Sequence, residues 1–416
     1  MPQLAATLAG QVPGPVREVA AALTAAGHVA AVVGGSVRDG LLGALPPDYD
    51  LATSASPEAV LDLFPCAIPI GLRHGTVMVP SAAGPVDVTR FRAESLREDL
   101  QLRDFTINAM ALELGADPVF VDPTGGHRDL AEGRLRTPGD PTARLAEDPL
   151  RAIRAARFVA QLGVEPDAAL RSALPAQAAA AAKLAGERIR AELERLLLGR
   201  HVERGLALLR DIGIERLLIP GVRADAARIT AAVPAELSIR LTAWLRDTDA
   251  GARLRKLRFP RRVVEAVECQ VAAHPARDWS THGAALRKKR RRLGDTGLAA
   301  VLAVGRAEVS GLADQVDPVA AAARLDRVEA ALAELRRTGS LDVERANLAA
   351  TGADVMRWLG WPPGPAVGRA LRWLTERVAE DMGRNEPDTL RKLLADFPGA
   401  ESPAPSGPLD LPDSEG

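Results

Sequence analysis

Residues 29–50 constrain this chain more than any other stretch. Val29-Ala30-Ala31-Val32-Val33 is an apolar run ending in β-branched residues, and Gly34-Gly35-Ser36-Val37-Arg38-Asp39 follows it directly. Such a run, stopped by glycines, reads as a buried strand. The glycines let backbone N–H groups come close to a ligand, as a phosphate requires. Val37 to Leu42 can start a helix, whose N-terminus favours an anion. Asp48-Tyr49-Asp50 comes next. On a second strand its two carboxylates share one face. Hard divalent cations take oxygen ligands, and Mg²⁺ is commonly held by one or two carboxylates plus substrate phosphates. Alone, a Gly-Gly marks a plain turn and an Asp-x-Asp a solvated strand end. In this order and this close, the two point to a triphosphate beside a metal on Asp48 and Asp50.

At 416 residues the chain is too long for one compact core. Strand-like segments crowd the first third: 29–33, 48–52, 75–79, 86–91, 110–113 and 119–121, with helices at 15–26, 36–42, 56–63 and 106–110 between them. From about Arg144 the periodicity is helical, as at 149–162, 187–198, 200–210, 319–336 and 366–380. Breaks fall near Gly139-Asp140-Pro141, Pro260 and Gly339-Ser340. The stretch 400–416 is rich in Pro, Ser, Gly and Asp and reads as disordered. Net charge is −1, so nucleic-acid binding must come from local basic surfaces. Cys66 and Cys269 make no disulfide or metal spacing, which suits a reducing cytoplasm. Residues 1–4 lack the start of a signal peptide, and no apolar run is long enough for a membrane span.

Further constellations lie downstream. Val86-Asp87-Val88-Thr89-Arg90-Phe91 alternates apolar and polar, so Asp87 belongs on the polar face of a half-buried strand. Beside the strand of Asp48 and Asp50 it would complete a three-carboxylate cluster, near an attacking hydroxyl whose proton it could accept. In Leu102-Arg103-Asp104-Phe105-Thr106-Ile107-Asn108, Asp104 or Thr106 can cap a short helix, leaving Arg103 to pair with phosphate. Glu147-Asp148-Pro149-Leu150-Arg151 opens a helix in which Asp148, Arg151 and Arg154 are spaced three apart, and Arg157 continues the row. An Asp accepts from a base amino group, an Arg donates to base acceptors, and further Arg residues meet phosphate. A solvated, salt-bridged helix is the plainer meaning of each such row.

These motifs, followed by Asp122-Pro-Thr-Gly-Gly-His-Arg-Asp129-Leu and Glu187-Arg188-Ile189-x-x-Glu192-Leu193, resemble in order the bacterial class of tRNA nucleotidyltransferases and poly(A) polymerases. Gly352 to Gly360 and Gly364 to Gly368 are similar to that family's C-terminal helical region. The resemblance implies an α+β fold: a polymerase-β-like nucleotidyltransferase head with a small mixed sheet (1–140), then an all-helical neck (141–205), body (206–310) and tail (311–399). It also implies that Gly34, Gly35 and Arg38 contact the triphosphate, that Asp48 and Asp50 hold Mg²⁺, and that Arg103 binds nucleotide phosphate or sugar. Asp148 and Arg151 would read the base edge, with Arg154 and Arg157 supporting them or binding phosphate. The helix from Glu187 to Leu198 reads as packing rather than site. Leu102 and Ala185 depart from the family's usual Arg and Ser.

Family members add CCA, CC or A, or a poly(A) tail. Only 93–102 separates Arg92 from Arg103, where members that complete the CCA end carry a longer flexible loop. This shortening favours a CC-adding enzyme that uses CTP on tRNA and works with a separate A-adding enzyme, with full CCA addition, using ATP as well, as the alternative. Two basic stretches, one including Arg255 and Lys256 and the other Arg287, Lys288, Lys289 and Arg290, would position tRNA by its phosphates. A nucleotidyltransferase for a small molecule or protein would explain the Asp pair but not the Asp148–Arg157 row. A catalytically idle RNA-binding protein would not need the Asp pair.

Overall fold

The computed structural model describes residues 1–71, 75–311, 317–341 and 348–398, so the expected disorder at 400–416 lies outside the described residues. The chain forms two compact units, one of residues 1–231 with 235–261, the other of 232–234 with 262–416. The division falls inside the stretch expected as the body.

The first unit opens with α1 (Pro2–Gln11) and α2 (Gly14–Ala25) and then builds a seven-stranded sheet. Its strands are β1 (Ala30–Val33), β2 (Tyr49–Thr53), β3 (Ile68–Gly71), β4 (Thr76–Ser81), β5 (Gly84–Arg90), β6 (Ala111–Glu113) and β7 (Val119–Val121), in the order β3-β4-β5-β2-β1-β6-β7. Only β2 and β5 run parallel; the other neighbours are antiparallel. Helices α3 (Gly35–Leu41) and α4 (Pro57–Leu63) connect the early strands, and α5 (Leu96–Gln101) and a 3-10 turn (Thr106–Asn108) lead into β6.

The apolar alternation explains the layering. Val32, Leu51, Val77, Val86 and Val88 pack on one face with Leu8, Val16 and Leu23 of α1 and α2. Ala31, Val33 and Ala52 meet Phe91, Leu96 and Leu100 on the other. Covered on both sides, β1 has all four residues buried, as its unbroken apolar run requires. Among the elements without a counterpart in the sequence reading are α1 and β3. α1 is an alanine-rich helix, and β3 carries Pro69, which suits the sheet edge it occupies.

Helices follow: α6 (Gly126–Ala131), α7 (Pro141–Glu147), α8 (Leu150–Leu162), α9 (Ala168–Ala173), α10 (Ala178–Ala181), α11 (Gly186–Leu197) and α12 (Val202–Asp211). In α8, Ile153, Ala156, Phe158 and Ala160 are buried. α12 comes so close to it that a Cβ on Gly205 would lie 2.6 Å from Ala160 Cβ and 2.8 Å from the Ala156 carbonyl oxygen.

The second unit is helical among its described residues. A helix from Gly283 to Gly311, broken at Gly294 (φ +67°), packs with Pro318–Arg337 around Leu286, Leu298, Val301, Leu325 and Val328. Gly352–Leu359 and Pro365–Glu380 share a core around Trp361, Leu371 and Leu374. Among the described residues no helix is long and apolar enough to cross a membrane.

Candidate active site

A cleft of about 660 Å³ in the first unit gathers residues from distant parts of the chain. Gly34, Gly35, Arg38, Asp50, Asp87, Arg103, Asp148, Arg151, Arg154 and Arg157 all line it, and Arg188 and Arg195 join them from α11. Its walls carry nine arginines against five aspartates. That imbalance suits a polyanion.

The floor is set by strand register. Parallel pairing of β2 with β5 puts Asp50 directly beside Asp87, and β1 puts Val33, the residue before the glycine turn, opposite Asp50. Asp48 stands one residue before β2; it and Asp50 are exposed while Tyr49 between them is buried. The three carboxylates feel one another. The close protein surround and then the charges of Asp48 and Asp87 push Asp50 up to about 6, although Arg103 pulls the other way. Burial and the charge of Asp48 raise Asp87 as well. Acidic oxygens short of positive charge suit a hard divalent cation. Among the described residues no group of three or more His, Cys, Asp and Glu side chains is arranged to hold a metal ion by itself.

Gly34 takes φ +73° and ψ −127° as it leads into α3, a backbone that favours glycine. A Cβ there would stand 3.1 Å from Arg103 Nη1, so the Arg103 guanidinium hangs over the turn. Arg38 is held from two sides. Its Nη1 donates to Asn108 Oδ1 at 2.6 Å and its Nε to Asp39 Oδ1 at 2.8 Å.

On the helical side the expected row does not hold together as one face. Residues three apart on a helix of 3.6 per turn drift by about 60° per step. Asp148 is not helical at all; it ends α7 in extended backbone (φ −147°, ψ 102°). Its Oδ1 accepts from the Leu150 N–H at 3.1 Å and its Oδ2 from Arg188 Nη2 at 2.8 Å. Arg151 turns back toward α7, donating Nη1 to Glu147 Oε2 at 2.8 Å and to the Arg144 carbonyl at 2.5 Å.

Arg154 and Arg157 are both held by acids at the cleft wall. Arg154 gives Nε and Nη2 to Asp104 Oδ2 and Nη1 to Glu192 Oε1. Arg157 gives Nε to Glu192 Oε2 and Nη1 to Gln161 Oε1, and lies 3.8 Å from the Phe158 ring centroid. Its side chain is only 8% exposed, so it braces the cleft wall. Burial lowers Arg157 to about 10, leaving it charged at neutral pH. Burial opposes the charge on Asp104, but Arg154, with Asn108 and the Phe105 N–H, outweighs it and holds that carboxyl well below its usual range.

Asp104 is therefore no helix cap. Phe105 precedes the 3-10 turn without a side-chain cap, and Thr106 donates to Asp129 Oδ2 instead. The packing helix α11 also supplies Arg188 and Arg195 to the cleft, and Glu192 to the two arginines behind its wall. Arg188 and Glu192 stood in a quoted motif; what sequence lacked was any sign that they answer residues 35 to 40 positions away.

Of the residues expected to meet tRNA, Arg255 and Lys256 are exposed in the first unit. Arg287 is a further correction. It is buried, and it donates Nε to the Ala379 carbonyl at 2.7 Å and Nη1 to the Ser340 carbonyl at 3.4 Å, which makes it a strut of the second unit. Lys288 is exposed. The Lys289 ammonium lies 5.1 Å from the Trp279 ring centroid, and Arg290 pairs with Asp295.

The chain matches the poly A polymerase head domain family over residues 30–136, an RNA and SrmB-binding region of polymerase A over 163–225, and tRNA nucleotidyltransferase domain 2 over 235–394. It is 34% identical over 411 residues to a CCA-adding enzyme of Limosilactobacillus fermentum, covering 92% of this chain and 96% of that one. The chain belongs to the tRNA nucleotidyltransferase and poly(A) polymerase family. A CC-adding tRNA nucleotidyltransferase of Shouchella clausii is 45% identical, but over 201 residues, which span 48% of this chain and 52% of that protein. The crystal structure of the Bacillus stearothermophilus CCA-adding enzyme in complex with CTP superposes with a TM-score of 0.70 at 29% identity, covering 92% of this chain and 96% of that one. The Thermotoga maritima CCA-adding enzyme complexed with tRNA shares the fold, with a TM-score of 0.67 at 18% identity over 94% of this chain and 98% of that one. The chain is a nucleotidyltransferase, and the α+β head with a helical remainder is the family's architecture.

Proposed function

We propose that this nucleotidyltransferase matures the 3′ end of tRNA by adding two C residues from CTP. The observation that carries the transferase chemistry is the Asp50–Asp87 register beneath the Gly34 turn, in one cleft with Asp148 and Arg151. The tRNA 3′-hydroxyl attacks the α-phosphate of CTP; a new P–O bond forms and pyrophosphate leaves. Gly34 and Gly35 let the backbone approach the triphosphate, and Arg38 and Arg103 balance its charge. Asp48 and Asp50 would hold Mg²⁺, which when bound neutralises charge on the reacting phosphate. Asp87 helps hold the metal or accepts the hydroxyl proton. Asp148 accepts from the cytosine amino group and Arg151 donates to its ring acceptors. For this, Arg188 must share or yield the Asp148 oxygen it occupies.

Support for CC addition comes from 93–102. That stretch is filled by α5, whose first turn is closed by a Ser95–Glu98 capping box. It is a folded connection rather than a lever able to shift the base-reading pair between C and A. The full-length similarity to CCA-adding enzymes supports a second reading, CCA addition using ATP as well. Primer extension on tRNA lacking its last three nucleotides separates them. Two residues with CTP, and no lengthening when ATP joins, is the expected result; a third residue would make the enzyme CCA-adding.

A further inference from the structure

The segment that replaces a longer loop also carries an acid that no catalytic role has used. Asp99, in α5, is 3% exposed. Its Oδ1 accepts from the Arg92 backbone N–H at 3.0 Å and from Arg92 Nε at 3.2 Å. Its Oδ2 accepts from Arg103 Nη2 at 3.3 Å. Both guanidiniums line the cleft. Arg103 is thus gripped at one edge by Asp99 while its other edge overhangs Gly34, and its charge reaches Asp50.

We propose that Asp99 is a positioning residue: it holds Arg103 over the glycine turn, with Arg92 beside it, so that α5 sets how firmly the nucleotide is gripped. The physical case is one of chain freedom. An arginine left loose over a cleft must be ordered each time a nucleotide binds, at a cost in side-chain entropy. A buried carboxylate fixed by a capped helix orders it in advance. Leu96 and Leu100 of α5, with Phe91 just before it, pack on the sheet, so the grip is referred to the same rigid frame that carries Asp50. The inference rests on the nucleotidyl-transfer reading of the cleft.

The test is a double-mutant cycle in the full chain, with steady-state CTP incorporation into tRNA as readout. Asp99→Asn is expected to raise KM for CTP about tenfold, with KM for tRNA and the melting temperature little changed. In an Arg103→Ala background it should add almost nothing, because the grip it supports is already gone. Asp99→Glu keeps the charge but displaces it, and should raise KM for CTP in the same way; it carries the test if Asp99→Asn does not fold. Two outcomes overturn the proposal: KM for CTP unchanged in both variants, or effects of Asp99→Asn and Arg103→Ala that multiply. Wild-type protein that incorporates no nucleotide would instead overturn the transferase reading itself.

Discussion

The cleft has two sides built on opposite electrostatic terms. On the sheet side, Asp50 and Asp87 are set by strand register, and burial together with the charge of Asp48 makes both hold their protons more tightly than usual. On the helical side nearly every charge is answered: Asp104 by Arg154, Glu192 by Arg154 and Arg157, Asp148 by Arg188. The sheet side carries clustered negative charge that a cation held there would relieve. The helical side is complete without ligand and holds a fixed pattern. The difference teaches how to tell a reactive cluster from a scaffold: the first stores unfavourable charge, the second discharges it.

Removing a charge should therefore have opposite consequences on the two sides. Asp50→Asn is expected to cut nucleotidyl transfer by about a thousandfold or more while leaving the thermal melt unchanged or slightly raised, since it relieves repulsion. A marked drop in stability would break the comparison. Glu192→Ala does the reverse. It strands two guanidiniums, of which Arg157 is buried, and should cost about 3–5 kcal/mol in urea unfolding. Unchanged stability there would mean the ion pairs are ornamental.

Acid should separate the sides too. Asp104 has its folded pKa depressed by Arg154. Its contribution to stability is present above the unfolded carboxylate value near 4 and is lost as pH falls through its lower folded value. Wild type should lose stability below about pH 4, and Asp104→Asn should show a shallower loss in an acid titration of the unfolding transition. A smaller effect is expected where the two sides meet the base: Asp148→Ala should reduce preference for CTP over UTP by about tenfold or more, with tRNA binding by filter retention largely kept. Equal use of CTP and UTP by wild type would sink that role. The smallest effect belongs to the surface. Lys288→Ala should lower the salt dependence of tRNA binding by about one phosphate contact if that residue touches the backbone.

Elements with a local cause were legible from residue types. The buried run before Gly34, the alternation around Asp87 and the proline-started helix after Asp148 each appear within a residue or two of the expected place. Even the adjacency of Asp87 to Asp50 was posed, because alternating patterns fix which face a side chain takes. Which groups hold Arg154, Arg157 and Arg287 was not legible. Each has a partner between 35 and 92 residues away, and an arginine looks the same in sequence whether it faces a phosphate or a carbonyl.

From its ordered motifs the sequence carried the family resemblance, and from residue types alone it determined the buried strand, the glycine turn and the alternation that places the carboxylates beside it. The latter follow from periodicity and backbone preference, which act over a few residues. Tertiary structure decided which acids and carbonyls hold each arginine, and that Asp99 and Glu192 stand behind the cleft arginines. Pairing of buried charges depends on which acid the fold brings within about 4 Å, and local sequence holds no record of that distance.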